Sequence, residues 1–174
     1  MSGPSMQGSD FPFLEDRILA PVARISTLLT RSGQTLAVAE SCTAGLLGYL
    51  LTSVPGSSAW FAGGIIAYSN RIKAAVLGVE EAVLDEHGAV SRECVLQMAE
   101  SVAQLFSGRV GIAISGIAGP GGGSARKPVG TVYVAWRTDS GADAQRLLFS
   151  GTREEIRQAA ALEAVNGLLQ RIVA

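Results

Sequence analysis

The stretch Thr35-Leu36-Ala37-Val38-Ala39-Glu40-Ser41-Cys42-Thr43-Ala44-Gly45, followed by Leu46-Leu47-Gly48-Tyr49-Leu50-Leu51-Thr52, decides the fold class. Its first five residues are a short apolar run, which reads as a strand. The strand enters a polar turn ending in Ala-Gly, and Leu46 to Thr52 behind it reads as a helix. A strand that feeds directly into a helix belongs to α/β proteins, whose sheets are mainly parallel.

Upstream, Leu14, Ile18, Val22, Ile25 and Leu29 recur at three- and four-residue spacing. That spacing predicts an amphipathic helix over 13–30, with Pro21 as a kink or break. Residues 1–12 are rich in Ser, Gly, Gln and Pro and read as a disordered tail. Downstream, Val54 to Ser58 breaks the second helix, and a strand over 63–67 ends at Tyr68-Ser69-Asn70. Asn70 is a candidate cap for the helix that carries Lys73. A loop containing His87 leads to Ser91, which opens a helix over 92–106.

A third strand, 110–115, ends in Gly116-Ile117-Ala118-Gly119-Pro120-Gly121-Gly122-Gly123. Segments 130–137 and 144–149, joined by Thr138-Asp139-Ser140-Gly141, predict an antiparallel hairpin. A helix over 153–173 closes the chain. The expected architecture is α/β in three layers: a mainly parallel, mixed sheet, helices on both faces and a C-terminal antiparallel hairpin. Residues 13–174 are expected to form one domain.

Composition narrows the function. Glycine makes up 21 of the 174 residues, well above the ~7% average, which points to tight turns or close backbone approaches. The 14 basic and 15 acidic residues nearly cancel, so the basic footprint of a nucleic-acid binder is missing. Two cysteines, Cys42 and Cys94, are too few for a disulfide framework or a zinc site. No cluster of His, Cys and carboxylates has metal-ligand spacing. No apolar run reaches the ~18–20 residues that span a membrane, and no signal-peptide pattern opens the chain. A soluble cytoplasmic protein is expected.

Ligands of open α/β sheets bind at the carboxyl ends of the strands. Three such ends carry hydroxyls or glycines in excess of what a turn requires: Glu40 to Thr43, Tyr68 to Asn70, and Ser115 to Gly123. Ser41 stands at a strand-to-helix junction, where free N–H groups can hold an anion or a developing oxyanion. An ordinary helix N-cap fits it as well. Cys42 is either a thiol nucleophile or a buried, inert thiol. A serine nucleophile needs a base. His87 is the one histidine and lies far along the chain, whereas a desolvated Lys73 can serve, with Tyr68 relaying a proton. A solvated helix position is the plainer reading of Lys73.

The glycine run lacks the Gly-Lys-Ser/Thr of a Walker A loop and is no GxGxxG turn. It reads either as a surface loop or as a nest of N–H groups around a phosphate or carboxylate. Arg126 and Lys127 beside it favour an anionic ligand.

These segments, with Gly88-Ala89-Val90-Ser91 and Lys127-Pro128-Val129-Gly130-Thr131-Val132, resemble the CinA C-terminal domain family from about Leu14 to the C-terminus. The family includes nicotinamide-nucleotide amidohydrolases. The resemblance implies hydrolysis of nicotinamide mononucleotide to nicotinate mononucleotide and ammonia, in pyridine nucleotide salvage, with no cofactor and no metal. It implies Ser41 as nucleophile, Lys73 and Tyr68 as its activating partners, and Glu40, Cys42, Thr43, Gly45, Asn70, Ser115, Gly116, Gly119, Gly121, Gly122 and Arg153 as substrate-binding residues. The glycine loop and Arg153 suit the ribose phosphate. Ala44 stands where the family commonly has a second glycine, and Ser115 where it has threonine.

Many family members carry an additional N-terminal domain; about 13 residues precede the first helix here, so a stand-alone amidohydrolase is expected. Apolar helix faces and an exposed hairpin suggest a homo-oligomer, with no nucleic-acid or membrane partner. The alternative is a nucleotide-binding regulatory protein without catalysis, linked to competence and DNA damage.

Overall fold

The computed structural model describes residues 12–173, with side chains from Arg17 onward. Most of the expected tail and the Leu14 side chain lie outside the described residues. The elements run α1 (Pro12–Ser32), β1 (Leu36–Glu40), α2 (Leu46–Thr52), a 3-10 turn (Ser57–Ala59), β2 (Phe61–Ile66), α3 (Asn70–Leu77), α4 (Glu81–Glu86), α5 (Arg92–Leu105), β3 (Val110–Gly116), β4 (Thr131–Thr138), β5 (Gly141–Leu148) and α6 (Arg153–Val173). One sheet orders its strands β2-β1-β3-β4-β5. The first three are parallel, and β4 and β5 add antiparallel to β3. The α/β class, the mixed sheet and the hairpin are as the sequence implies.

Side-chain size on the central strands sorts the helices into two layers. Leu36, Val38, Ile112, Ile114, Val132, Val134 and Trp136 face α1, α2 and α6, meeting Ile18, Val22, Ile25, Leu47, Leu50, Ile156 and Leu168. The alternate residues Ala37, Ala39, Ala113 and Ala135 face α3 and α5, against Leu77, Val95, Met98 and Val102. Period-two alternation fixes this division, because a one-residue slip would exchange the two faces. The alanine face leaves room for α5 to sit close. At Gly111 the backbone of Ala99 occupies the place a Cβ would take.

Several local expectations give way to packing. Pro21 does not split the first helix, which runs unbroken from residue 12, so Pro12 belongs to α1 and not to the tail. Ile18, Val22 and Ile25 are all fully buried on either side of the proline, and that contact outweighs the one hydrogen bond proline removes. Ser69 caps α3, accepting from the Ile72 N–H at 3.3 Å; Asn70 is the first helical residue. The loop before His87 contains α4. The hairpin turn is the two residues Asp139-Ser140, since Thr138 and Gly141 already pair.

Candidate active site

The carboxyl ends of β1 and β3 and the residues that follow β2 converge on a cavity of about 220 Å³ lined by Ser41, Cys42, Tyr68, Asn70, Lys73, Ala89, Val90, Ser115, Gly116, Ala118 and Arg153. Its floor is the turn after β1. The Ser41 N–H donates to the Ile114 carbonyl at 3.0 Å, extending the β1–β3 ladder by one residue and fixing the serine at the sheet edge. Beyond it the chain reverses through two left-handed residues, Ala44 at φ 48° and Gly45 at φ 96°. Ala44 therefore holds a conformation that glycine adopts without cost.

Lys73 is the notable side chain of this cavity. It extends from α3 into the interior and is only 1% exposed. Its Nζ donates to Ser41 Oγ at 3.0 Å and to the Ala67 carbonyl at 2.7 Å. Burial holds its pKa below the ordinary lysine value of 10.5, because an ammonium loses hydration there. Among the described residues no ion pair includes Lys73. A desolvated amine bonded to a serine hydroxyl is the geometry of a nucleophile and its general base.

Cys42, next to the serine, is buried, and its thiol pKa is pushed up to about 11, chiefly by desolvation. At neutral pH it is a protonated, apolar group. Tyr68 is 60% exposed at the cavity mouth, and its hydroxyl accepts from Arg153 Nη2 at 3.0 Å. Arg153 Nη1 also donates to the Gly119 carbonyl at 2.6 Å. The two residues thus form a pair at the entrance. Ser115 Oγ donates to the Ala89 carbonyl at 2.7 Å, tying the wall formed by Ala89 and Val90 to β3.

Other expected residues sit behind or beside the cavity. The Glu40 carboxylate turns back under the turn and accepts from the N–H groups of Gly45, Leu47 and Gly48 at 3.0, 3.1 and 2.8 Å. The free N–H groups expected at the start of α2 are therefore already bonded. Thr43 is fully buried. Gly116 is glycine for packing: a Cβ there would meet Val132 at 2.7 Å and Cys42 Sγ at 3.1 Å. Gly119 likewise faces Val129 at 2.7 Å, whereas Gly121 faces open space. Gly122 lies beside them at φ 85°.

Lys127 does not stand free for an anion, since its Nζ donates to the His87 carbonyl at 2.7 Å. The His87 ring is next to Glu86 and Glu93, at 3.9 and 4.0 Å, outside the cavity lining. Ala89, Val90 and Ala118, which belong to segments quoted above but not to the expected site residues, also line the cavity. Short apolar walls carry no chemical signature by which to find them.

A three-layer α/β domain with a buried lysine on a strand-end serine defines the class of protein. Residues 20–172 match the CinA C-terminal domain family, and the chain belongs to it. It is 51% identical over 162 residues to a CinA-like protein of Synechococcus sp., covering 92% of this chain and 38% of that protein. The chain spans little more than a third of such longer relatives. It is 44% identical over 153 residues to the nicotinamide-nucleotide amidohydrolase PncC of Pseudomonas putida, covering 84% of this chain and 96% of that protein. A crystal structure of the competence/damage inducible protein CihA from Agrobacterium tumefaciens superposes with a TM-score of 0.88 at 38% identity, covering 96% of this chain and 100% of that one.

Proposed function

We propose that this protein is an amidohydrolase that converts nicotinamide mononucleotide to nicotinate mononucleotide and ammonia, with Ser41 as nucleophile and Lys73 as general base. The observation that carries this reading is the 3.0 Å contact between Lys73 Nζ and Ser41 Oγ inside the protein. The similarity to the Pseudomonas putida amidohydrolase supports the substrate.

Neutral Lys73 takes the Ser41 hydroxyl proton as Oγ bonds to the carboxamide carbon. The oxyanion that forms is met by the Cys42 N–H, which has no main-chain acceptor among the described residues. Lys73 then returns its proton to the amide nitrogen as the C–N bond breaks, and ammonia leaves. Water adds to the resulting Ser41 ester and Lys73 accepts the water proton. Lys73 hands that proton to Ser41 Oγ as the C–O bond breaks, restoring the hydroxyl and the neutral amine, and the acid product ionises to the carboxylate. Tyr68 helps pass the Lys73 proton to the departing ammonia, and Arg153 at the mouth, with the glycine loop whose Gly119 carbonyl it holds, is assigned to the ribose phosphate. A cytoplasmic homo-oligomer fits this reading, with exposed Ile66, Val76 and Leu105 as apolar contact points.

Ammonia release from nicotinamide mononucleotide by the purified protein tests the proposal. Ser41→Ala is expected to lose at least ~10³-fold in kcat with an unchanged circular dichroism spectrum. A fully active Ser41→Ala protein overturns the serine mechanism, and activity lost instead in Cys42→Ala assigns the nucleophile to the thiol. Tight nucleotide binding with no turnover in the unaltered protein supports the regulatory alternative.

A further inference from the structure

Ser41 and Lys73 account for the chemistry of the cavity, but not for a second cation on the nucleophile's turn. Arg157 is on α6, one helical turn after Arg153. Its Nη2 donates to the Thr43 carbonyl at 2.8 Å, a carbonyl that also accepts from the Leu46 N–H at 3.1 Å. Arg157 takes part in none of the ion pairs among the described residues. Its Nε is buried without a hydrogen-bond partner, as is Thr43 Oγ1 beside it. A partly buried guanidinium whose hydrogen bond goes to a neutral carbonyl and that joins no ion pair is costly to keep. Its charge reaches the turn: burial raises the adjacent Cys42 thiol pKa, the Cys42 N–H and then Arg157 draw it down, and Glu40 opposes Arg157.

Glu40 holds the same stretch of chain through the three N–H groups of Gly45, Leu47 and Gly48. The carboxylate gathers donors and the guanidinium engages an acceptor, so each charge takes the backbone group of matching polarity. The turn they hold carries Ser41 Oγ and the Cys42 N–H. We infer that Arg157 is a positioning residue for the reaction proposed above: together with Glu40 it clamps the Ser41–Gly45 turn, and its positive charge favours the oxyanion formed at Ser41. It acts through the Thr43 carbonyl and touches no substrate atom. This inference rests on the serine mechanism.

The test compares Arg157→Gln, which keeps an N–H donor and loses the charge, with Arg157→Lys, which keeps the charge. With nicotinamide mononucleotide as substrate, R157Q is expected to lower kcat about 10–100-fold, with KM within threefold of the unaltered protein. R157K is expected to recover at least fivefold of that loss. An R157Q kcat within twofold of the unaltered protein overturns the inference, and so does an equal fall in both variants. A raised KM with preserved kcat overturns it too, by making Arg157 a substrate contact.

Thiolate absorbance titration in a Cys94→Ala background reads the charge without any turnover. The Cys42 titration should move to higher pH in R157Q and stay in place in R157K; no movement in R157Q refutes the charge placement even where the glutamine variant assays poorly. If Ser41→Ala stays active while the titration shifts as expected, the serine mechanism has failed and the charge placement stands.

Discussion

The turn after β1 and the loop after β3 leave the same edge of the sheet, and both combine glycine with small polar residues. Their glycines and polar groups have different work. The turn at Ser41 to Gly45 is held by side chains as well as backbone: Ile114 takes the Ser41 N–H, Glu40 takes the N–H groups of Gly45 and of Leu47 and Gly48 behind it, and Arg157 holds the Thr43 carbonyl. The loop from Gly116 to Gly123 has far fewer anchors. Gly116, Gly119 and Gly123 are glycine because Val132 and Val129 press against them. Rigid positioning of a nucleophile needs such over-determination, since small displacements of a reacting group cost large factors in rate. Glycine content alone does not distinguish a catalytic turn from a packed one.

The sharpest way to break this contrast is Lys73→Met, which retains apolar bulk and removes the base. It is expected to reduce kcat by about 10²–10⁴-fold, measured as ammonia release. The same residue sets the pH dependence. Because burial lowers its folded-state pKa, activity should rise with pH through a midpoint below 10.5. Between that midpoint and 10.5 the unfolded chain binds one more proton than the folded one. Stability therefore also rises with pH across that window, and Lys73→Met should flatten this rise in urea unfolding. An activity limb at or above the ordinary lysine value would remove Lys73 from the role of base.

Glu40→Ala tests the turn itself. Three N–H groups lose their acceptor, and a buried unsatisfied donor costs about 1–3 kcal/mol. A loss of roughly 2–4 kcal/mol is expected, since water can reach part of the vacated space. For a chain of this size that lowers Tm by about 5–15 °C. A Tm within about 2 °C of the unaltered protein would mean the turn does not depend on this carboxylate.

The smallest effect belongs to the loop. Gly121 faces open space, and its φ is not in the left-handed region. Gly121→Ala should leave kcat/KM within about twofold and change stability by no more than about 1 kcal/mol, in the stabilising direction. A tenfold loss in kcat/KM would return the glycine run to the substrate site and erase the contrast between the two loops.

Much of the molecule is legible along the chain. Strand and helix alternation in 35–52, 63–77 and 92–115 is strong because central parallel strands are short apolar runs and their helices are amphipathic. The convergence of Ser41, Tyr68, Asn70, Lys73 and Ser115 on one edge follows from the same topology. Glu40 and Lys127 were harder to read, because a charged residue next to a site has the same letter whether it meets ligand or backbone. Pro21 is ambiguous for a related reason: its local preference is to end a helix, and the packing of Ile18, Val22 and Ile25 keeps α1 continuous.

By itself the chain of residues determined the order of strands and helices, the two faces of each central strand and the short list of side chains able to do chemistry. These depend on local sterics and on the periodicity of burial, which neighbouring residues settle. Tertiary structure alone decided that Lys73 is buried on Ser41 Oγ, that Glu40 and Arg157 both hold the turn, and that Gly116 serves packing. Each of those depends on the distance between residues far apart in the chain. Desolvation and hydrogen bonding act at a few ångströms, and only the folded sheet sets such distances.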